Sequence, residues 1–124
     1  MEPIPPKIAP DRDSARPLIC LGDANGESCR ENWTQVLRHS LIESFGLEAA
    51  DVTINQPFAG GYITRTYGNR PVPWIQVELN RKLYLSDADF DSDSLRMKTN
   101  RLSTLSEQFR RAIGQFVTRI HARR

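Results

Sequence analysis

The sequence predicts a single α/β domain, and three observations carry that prediction. A short aliphatic run, Leu18 to Leu21, opens into a glycine-containing loop and then into a helix-patterned stretch, which is half of a βαβ unit. Residues 72–79 alternate, with Trp74, Gln76 and Glu78 on one face and Ile75, Val77 and Leu79 on the other, as in a strand buried on one side. Toward the C-terminus apolar residues recur every three or four positions, the period of an amphipathic helix. A chain of 124 residues has room for one domain and buries enough surface to fold without a disulfide or metal staple.

The elements follow in order. Pro3, Pro5, Pro6, Pro10 and Pro17 crowd residues 1–17, and proline fixes φ and removes a ladder donor, so this stretch reads as an extended arm or linker before a domain over 18–124. Leu18 to Leu21 reads as a buried strand, and Gly22-Asp23-Ala24-Asn25-Gly26 as the loop after it. Ser28 and Glu31 have the spacing of a capping box, and Trp33, Val36, Leu37, Leu41 and Phe45 recur at helical intervals. With Gly46 as a left-handed stop, these predict a helix over 29–45.

Asp51 to Asn55 reads as a second strand, and Gln56 to Gly61 as a loop, since Pro57 and paired glycines disrupt regular structure. Tyr62 to Tyr67 is β-branched and aromatic, the composition of a strand or extended segment, closed by Gly68. Val72 to Leu79 is the third strand. An acidic loop holding Asp87, Asp89, Asp91 and Asp93 leads to a helix over 95–121, with Leu102, Leu105, Phe109, Ile113, Phe116 and Ile120 as its apolar stripe.

Composition narrows the function classes. The longest aliphatic run has four residues, far short of the ~20 a membrane span needs. The opening Met-Glu-Pro-Ile-Pro-Pro-Lys lacks the apolar core of a secretory signal. Cys20 and Cys29 fit neither a CxxC pair nor a disulfide framework, so a soluble, cytoplasmic protein is expected. The net charge of +2 conceals an asymmetry: residues 95–124 carry eight basic side chains, Arg123 and Arg124 among them, against Glu107, while residues 1–94 carry a net −5. The two parts can attract each other, or the basic end can meet an acidic partner. The basic charges flank a continuous apolar stripe without aromatic residues between them, which argues for a packed helix rather than nucleic-acid binding.

Two residues stand out chemically. Glu78 is a carboxylate near the end of a largely apolar strand, where it needs a partner or a task; the plainer alternative is an edge strand with Glu78 in water. Arg65 lies between glycine turns and beside Tyr62 and Tyr67, a setting suited to two-point recognition of a carboxylate or phosphate, and equally that of a surface arginine. Gly60-Gly61 is too short for a phosphate cradle. Cys29 falls at a helix N-terminus, where a thiol can be activated, but no histidine base is near in sequence and ordinary packing is the simpler reading. His39 and His121, the two histidines, show no metal-ligand spacing, and no local metal signature exists.

The run Asn55-Gln56-Pro57-Phe58-Ala59-Gly60-Gly61-Tyr62-Ile63-Thr64-Arg65-Thr66-Tyr67-Gly68, followed by Trp74-Ile75-Gln76-Val77-Glu78-Leu79-Asn80-Arg81-Lys82-Leu83-Tyr84-Leu85, closely resembles the C-terminal half of the N-formylglutamate amidohydrolase family. That family carries an N-x-P-[FY]-x-G-G-Y-I-T-R-x-Y-G segment and then a strand ending in Q-x-E-x-x-R-x-L-Y. Leu21-Gly22-Asp23 through Ser28-Cys29 is similar to its L-G-D-x-x-G-x-S-C loop, and the resemblance spans roughly residues 18–116.

The resemblance implies a zinc-dependent deformylase that splits the amide of N-formyl-L-glutamate into formate and glutamate, as in histidine degradation. It also implies a phosphorylase/hydrolase-like three-layer sandwich, present here in part as a short mixed sheet flanked by the two helices. Glu78 would be the general base, Arg65 would grip a substrate carboxylate, and Asn55, Gly60, Gly61, Tyr62 and Thr64 would shape the loop around it. The zinc ligands of the family lie on H-S-G and D-x-H-S motifs in its N-terminal half, and neither motif occurs here. A catalytic zinc needs three protein ligands, so the chain is expected to hold no metal and to be inactive alone. The expected partners are a small N-acyl amino acid and either the missing N-terminal half or a second copy, with no nucleic acid and no membrane. The alternative is a truncated, non-catalytic module that binds acidic amino-acid carboxylates or a partner chain.

Overall fold

The computed structural model describes residues 1–122; Arg123 and Arg124, counted in the basic C-terminal stretch, lie outside the described residues. The chain builds a mixed α/β fold with β1 (Ile19–Gly22), α1 (Glu31–Phe45), β2 (Val52–Ile54), α2 (Tyr62–Tyr67), β3 (Gln76–Leu79), β4 (Phe90–Asp91), β5 (Arg96–Met97) and α3 (Thr99–Ala122). Single 3₁₀ turns, Ala49–Asp51 and Arg81–Leu83, precede β2 and follow β3.

The main sheet has the order β2-β1-β3. β1 pairs parallel with β2 (Ile19 opposite Val52, Leu21 opposite Ile54) and antiparallel with β3 (Cys20 opposite Glu78, Gly22 opposite Gln76). Strand alternation sorts the two faces. Ile19, Leu21 and Val52 enter the core with Leu37 and Leu41 of α1 and Ala112 of α3, and Val77 and Leu79 pack against them. The other face is covered by the loop after β2: the Cys20 thiol lies 3.2 Å from the Gln56 carbonyl and 3.4 Å from that of Phe58. Gly22 is required there, since a Cβ would come within 2.8 Å of the Ala59 carbonyl group.

The punctuation of α1 differs from the expectation at one end. Gly46 adopts the left-handed conformation (φ 64°) and the Leu47 amide bonds the Ile42 carbonyl at 3.0 Å, so the helix stops as its glycine predicts. At the start there is no capping box, and α1 begins at Glu31 rather than 29. The Ser28 hydroxyl donates instead to the Trp74 carbonyl at 2.9 Å, and the Trp74 amide returns a bond to the Ser28 carbonyl. That exchange also shortens the third strand. Trp74 has both backbone groups engaged with Ser28, so ladder pairing begins at Gln76 and not at Val72.

Tyr62–Tyr67 is a helix, not a strand. The Arg65 amide bonds the Gly61 carbonyl at 3.1 Å and the Gly68 amide that of Thr64 at 3.0 Å, so the segment satisfies its backbone internally and its β-prone composition does not decide. The turn of α2 puts Thr64 inward and brings Gly68 against Ser28, where a Cβ would meet the Ser28 Cβ at 2.3 Å. The acidic loop holds an unexpected hairpin, β4–β5, whose turn is braced by the Asp91 carboxylate on the Asp93 amide and the Ser94 hydroxyl. With Arg96–Met97 in that hairpin, α3 starts at Thr99 rather than 95.

The buried stripe of α3 is also rotated. Ala112 is fully buried and Phe109 and Phe116 join the core, while Leu102 and Ile113, expected inside, are 54% and 38% exposed. α3 packs on α1 through an edge-to-face pair, Phe45 and Phe109, and through Arg119, which bonds both the Ser40 hydroxyl and the Glu43 carboxylate. The basic helix thus meets an acidic residue of the same chain. Residues 1–17 are not extended: successive turns run from Pro6 to Ser14, Arg16 forms a two-point pair with Asp11 and lies over the Phe58 ring, and Met1 bonds Leu79 and Arg81.

Candidate functional site

The site grows from the face of β3 opposite the helices. Side chains two apart on a strand share a face, so Gln76 and Glu78 lie side by side. The Gln76 amide group donates to Glu78 Oε1 at 2.9 Å. The Gln76 carbonyl oxygen accepts two bonds, from the Gly61 amide at 2.9 Å and from the Thr64 hydroxyl at 3.2 Å. Gly61 precedes α2 and Thr64 lies in its first turn, so one glutamine joins that turn to Glu78. The Glu78 side chain is 37% exposed, and its Oε2 lies 3.9 Å from the Met1 amino group.

Arg65 occupies the rim of this cluster. Its Nε donates to the Gly60 carbonyl at 3.0 Å, the side chain is exposed, and among the described residues it forms no ion pair. Around it lies an apolar surface: Tyr62 is 77% exposed, and Ile63, Tyr67 and Trp74 are also open, with the Tyr67 and Trp74 rings 6.5 Å apart. A carboxylate acceptor, a guanidinium that forms no ion pair with the described residues, and exposed aromatic rings therefore share one side of the molecule. Chemically, this arrangement can hold an anionic group at Arg65 and take up a proton at Glu78.

Asn55 lies apart from that cluster. It takes a left-handed conformation (φ 60°) at the end of β2, its side-chain amide donates to Asp23 Oδ1 at 2.8 Å, and its carbonyl oxygen accepts from the Asp23 amide. Asn55 thus braces the loop after β1. Asp23 is 1% exposed. Burial, the largest single influence, pushes its carboxyl up, but donors on Asn55, Thr34 and the Gly26 amide together hold it below the usual carboxylate range. With Asn25, Gly26, Glu31, Ile54 and Asn55 it lines a cavity of about 250 Å³ beyond the ends of the two parallel strands. A larger concavity, about 680 Å³, lies elsewhere, between α1 and α3 beside Arg38, His39 and Arg119.

The structure thus brings Glu78, Gly60, Gly61, Thr64 and Arg65 together, with Tyr62 at the edge, and sets Asn55 to one side. Gln76 and Asp23 were not singled out by the sequence. The signals were there: Gln76 shares the face of Glu78 and the Q-x-E motif, and Asp23 stands in the L-G-D motif of the loop after β1. Cys29 is 1% exposed and burial raises its thiol above the ordinary value, so it is a packed cysteine and not a nucleophile.

The residues present do not fit a zinc site. His39 and His121 lie on α1 and α3, the first beside Glu43 at 3.1 Å and the second against the Val117 carbonyl at 2.7 Å. Among the described residues no group of three His, Cys, Asp or Glu side chains could hold a metal ion, and no helix is long and apolar enough to cross a membrane.

Comparison with known proteins supplies a family and a fold. The family model for N-formylglutamate amidohydrolase matches residues 1–85. The match takes in the proline-rich segment and stops short of α3, so it is displaced from the 18–116 stretch that the motifs suggested, and it does not support restricting the likeness to a C-terminal half. Among solved structures, the chain is similar to the N-formylglutamate amidohydrolase of Ralstonia eutropha JMP134, with a TM-score of 0.60 at 17% identity. The likeness covers 89% of this chain and 36% of that one, so the chain spans about a third of that protein's length. No curated protein matches the sequence.

Proposed function

The chain belongs to the N-formylglutamate amidohydrolase family, and from that membership we propose that it carries the substrate-gripping part of an amidohydrolase site for N-formyl-L-glutamate or a related N-acyl amino acid. Arg65 holds the substrate's carboxylate, and Glu78 is the proton acceptor beside the scissile amide. In the hydrolysis, water adds to the formyl carbon and gives a proton to Glu78. The C–N bond breaks, and the proton passes to the leaving amine, so that formate and glutamate are the products. The observation that carries this reading is the chain of contacts from the Arg65 turn through Gln76 to Glu78. The exposed Tyr62 and Tyr67 rings supply an apolar flank for the substrate's carbon chain.

Zinc dependence is part of the proposal, with the metal's ligands on polypeptide outside the described residues, since those present do not make a donor set. The chain by itself then binds the substrate's carboxylate at Arg65 without turning it over, and Glu78 acts as proton acceptor only when the rest of the fold is supplied. The same lack of a donor set favours a second reading, a module that binds acidic amino-acid carboxylates without chemistry.

A zinc and formate assay tests the inactivity. The purified, folded chain is loaded with excess zinc, freed of unbound metal, and assayed for formate release from N-formyl-L-glutamate. The expected result is less than stoichiometric zinc and no formate. Stoichiometric zinc with turnover that Glu78→Gln abolishes would contradict the proposal of an incomplete site.

A further inference from the structure

We infer that Gln76 is a positioning residue: it fixes the Glu78 carboxylate to the turn that carries Arg65, leaving Glu78 Oε2 as the oxygen open to a proton. The functional meaning rests on the reading of Glu78 as proton acceptor, while the geometry stands without it. An amide side chain can point either way, and its neighbours decide. Two donors, the Gly61 amide and the Thr64 hydroxyl, both meet one Gln76 atom, which must therefore be the oxygen. Turning the amide over would set its NH₂ group against the Gly61 N–H and its oxygen against the Glu78 carboxylate. The orientation is thus dictated from the α2 side, and the NH₂ group has to donate toward Glu78 Oε1.

The bond to Oε1 does two things. It fixes the plane of a carboxylate that is otherwise a flexible, partly exposed side chain, and it occupies one of its two oxygens. Oε2 receives no hydrogen bond from the described residues, and the cation paired with it, the Met1 amino group, lies beyond bonding distance at 3.9 Å. Because Arg65 Nε rests on the Gly60 carbonyl, one residue before the amide that holds Gln76, a displacement of the Arg65 turn is passed to Glu78 through a single side chain.

Exchange of the Gln76 side-chain amide protons with water, followed by NMR on the labelled full chain at neutral pH, tests the inference without needing turnover. The expected exchange is about tenfold slower than that of the exposed Gln35, as a charge-assisted bond requires. Glu78→Ala should bring it to the Gln35 rate, and Glu78→Gln, which keeps an acceptor, should preserve most of the protection. Thr64→Val, which removes one donor from the amide oxygen, should speed exchange part of the way. Unchanged protection of the β1 amides in each variant shows that the sheet is intact. If Gln76 served only to tie the Gly61 turn to β3, its protons would be indifferent to Glu78→Ala, and that result would overturn the inference. Failure of the chain to bind N-formyl-L-glutamate would remove the amidohydrolase reading and leave the exchange result standing, so the two failures are distinct.

Discussion

Asp23 carries the clearest pH signature of the chain. It is buried, and its carboxyl sits below the usual range because Asn55, Thr34 and the Gly26 amide outweigh the cost of burial. A folded pKa below the unfolded value of about 3.9 adds stability that is fully present above that value and is lost as the pH falls through the folded one. Asn55→Gly keeps the left-handed backbone and deletes the donor. It is expected to cost about 1–3 kcal/mol in urea unfolding at neutral pH. With burial less opposed, its acid unfolding midpoint, followed by circular dichroism, should move to higher pH. An unchanged midpoint would mean that Asn55 does not hold Asp23. At this scale the strand alternation made Glu78 and Gln76 neighbours in the sequence itself. The Asn55 brace could not be read there, because it joins loops 32 residues apart.

At the scale of elements, the two long helices and the three central strands were legible from periodicity, each within a few residues. The departures have physical reasons. Six residues at 62–67 are too few for composition to decide between a strand and a helical turn that bonds within itself, and two-residue strands such as β4 and β5 leave no pattern to read. A register error in α3 has a measurable consequence. The sequence stripe put Ile113 inside, whereas the helix buries Ala112 and leaves Ile113 partly open. Ala112→Leu is therefore expected to destabilise by about 1–3 kcal/mol through overpacking between α1 and α3. Ile113→Ala should cost less, and urea unfolding of the two variants decides; the reverse order would contradict the observed rotation. The prolines of residues 1–17 misled for a related reason, since fixed φ angles serve tight turns as well as extended chain.

At the scale of the whole molecule, the charge asymmetry closes on itself in part. Arg119 binds Glu43, whose carboxyl is held below the usual range by that bond, and Arg101 bonds the Leu83 carbonyl near Asp89. What is left open is the opposite side, where Arg65, Glu78 and exposed aromatic rings meet, and among the described residues no group of three His, Cys, Asp or Glu side chains could hold a metal ion. The family match covers residues 1–85, and the fold is shared with about a third of a larger amidohydrolase. The central claim is that this open side recognises an acidic N-acyl amino acid. Titrating the labelled chain with N-formyl-L-glutamate, and following backbone and side-chain NMR signals, tests it most directly. The account predicts saturable shifts centred on Gly61, Tyr62, Thr64, Arg65 and Gln76, which Arg65→Ala abolishes. Shifts centred on Arg38 and Arg119 in the larger groove, or no saturable shift in the folded chain, would contradict it.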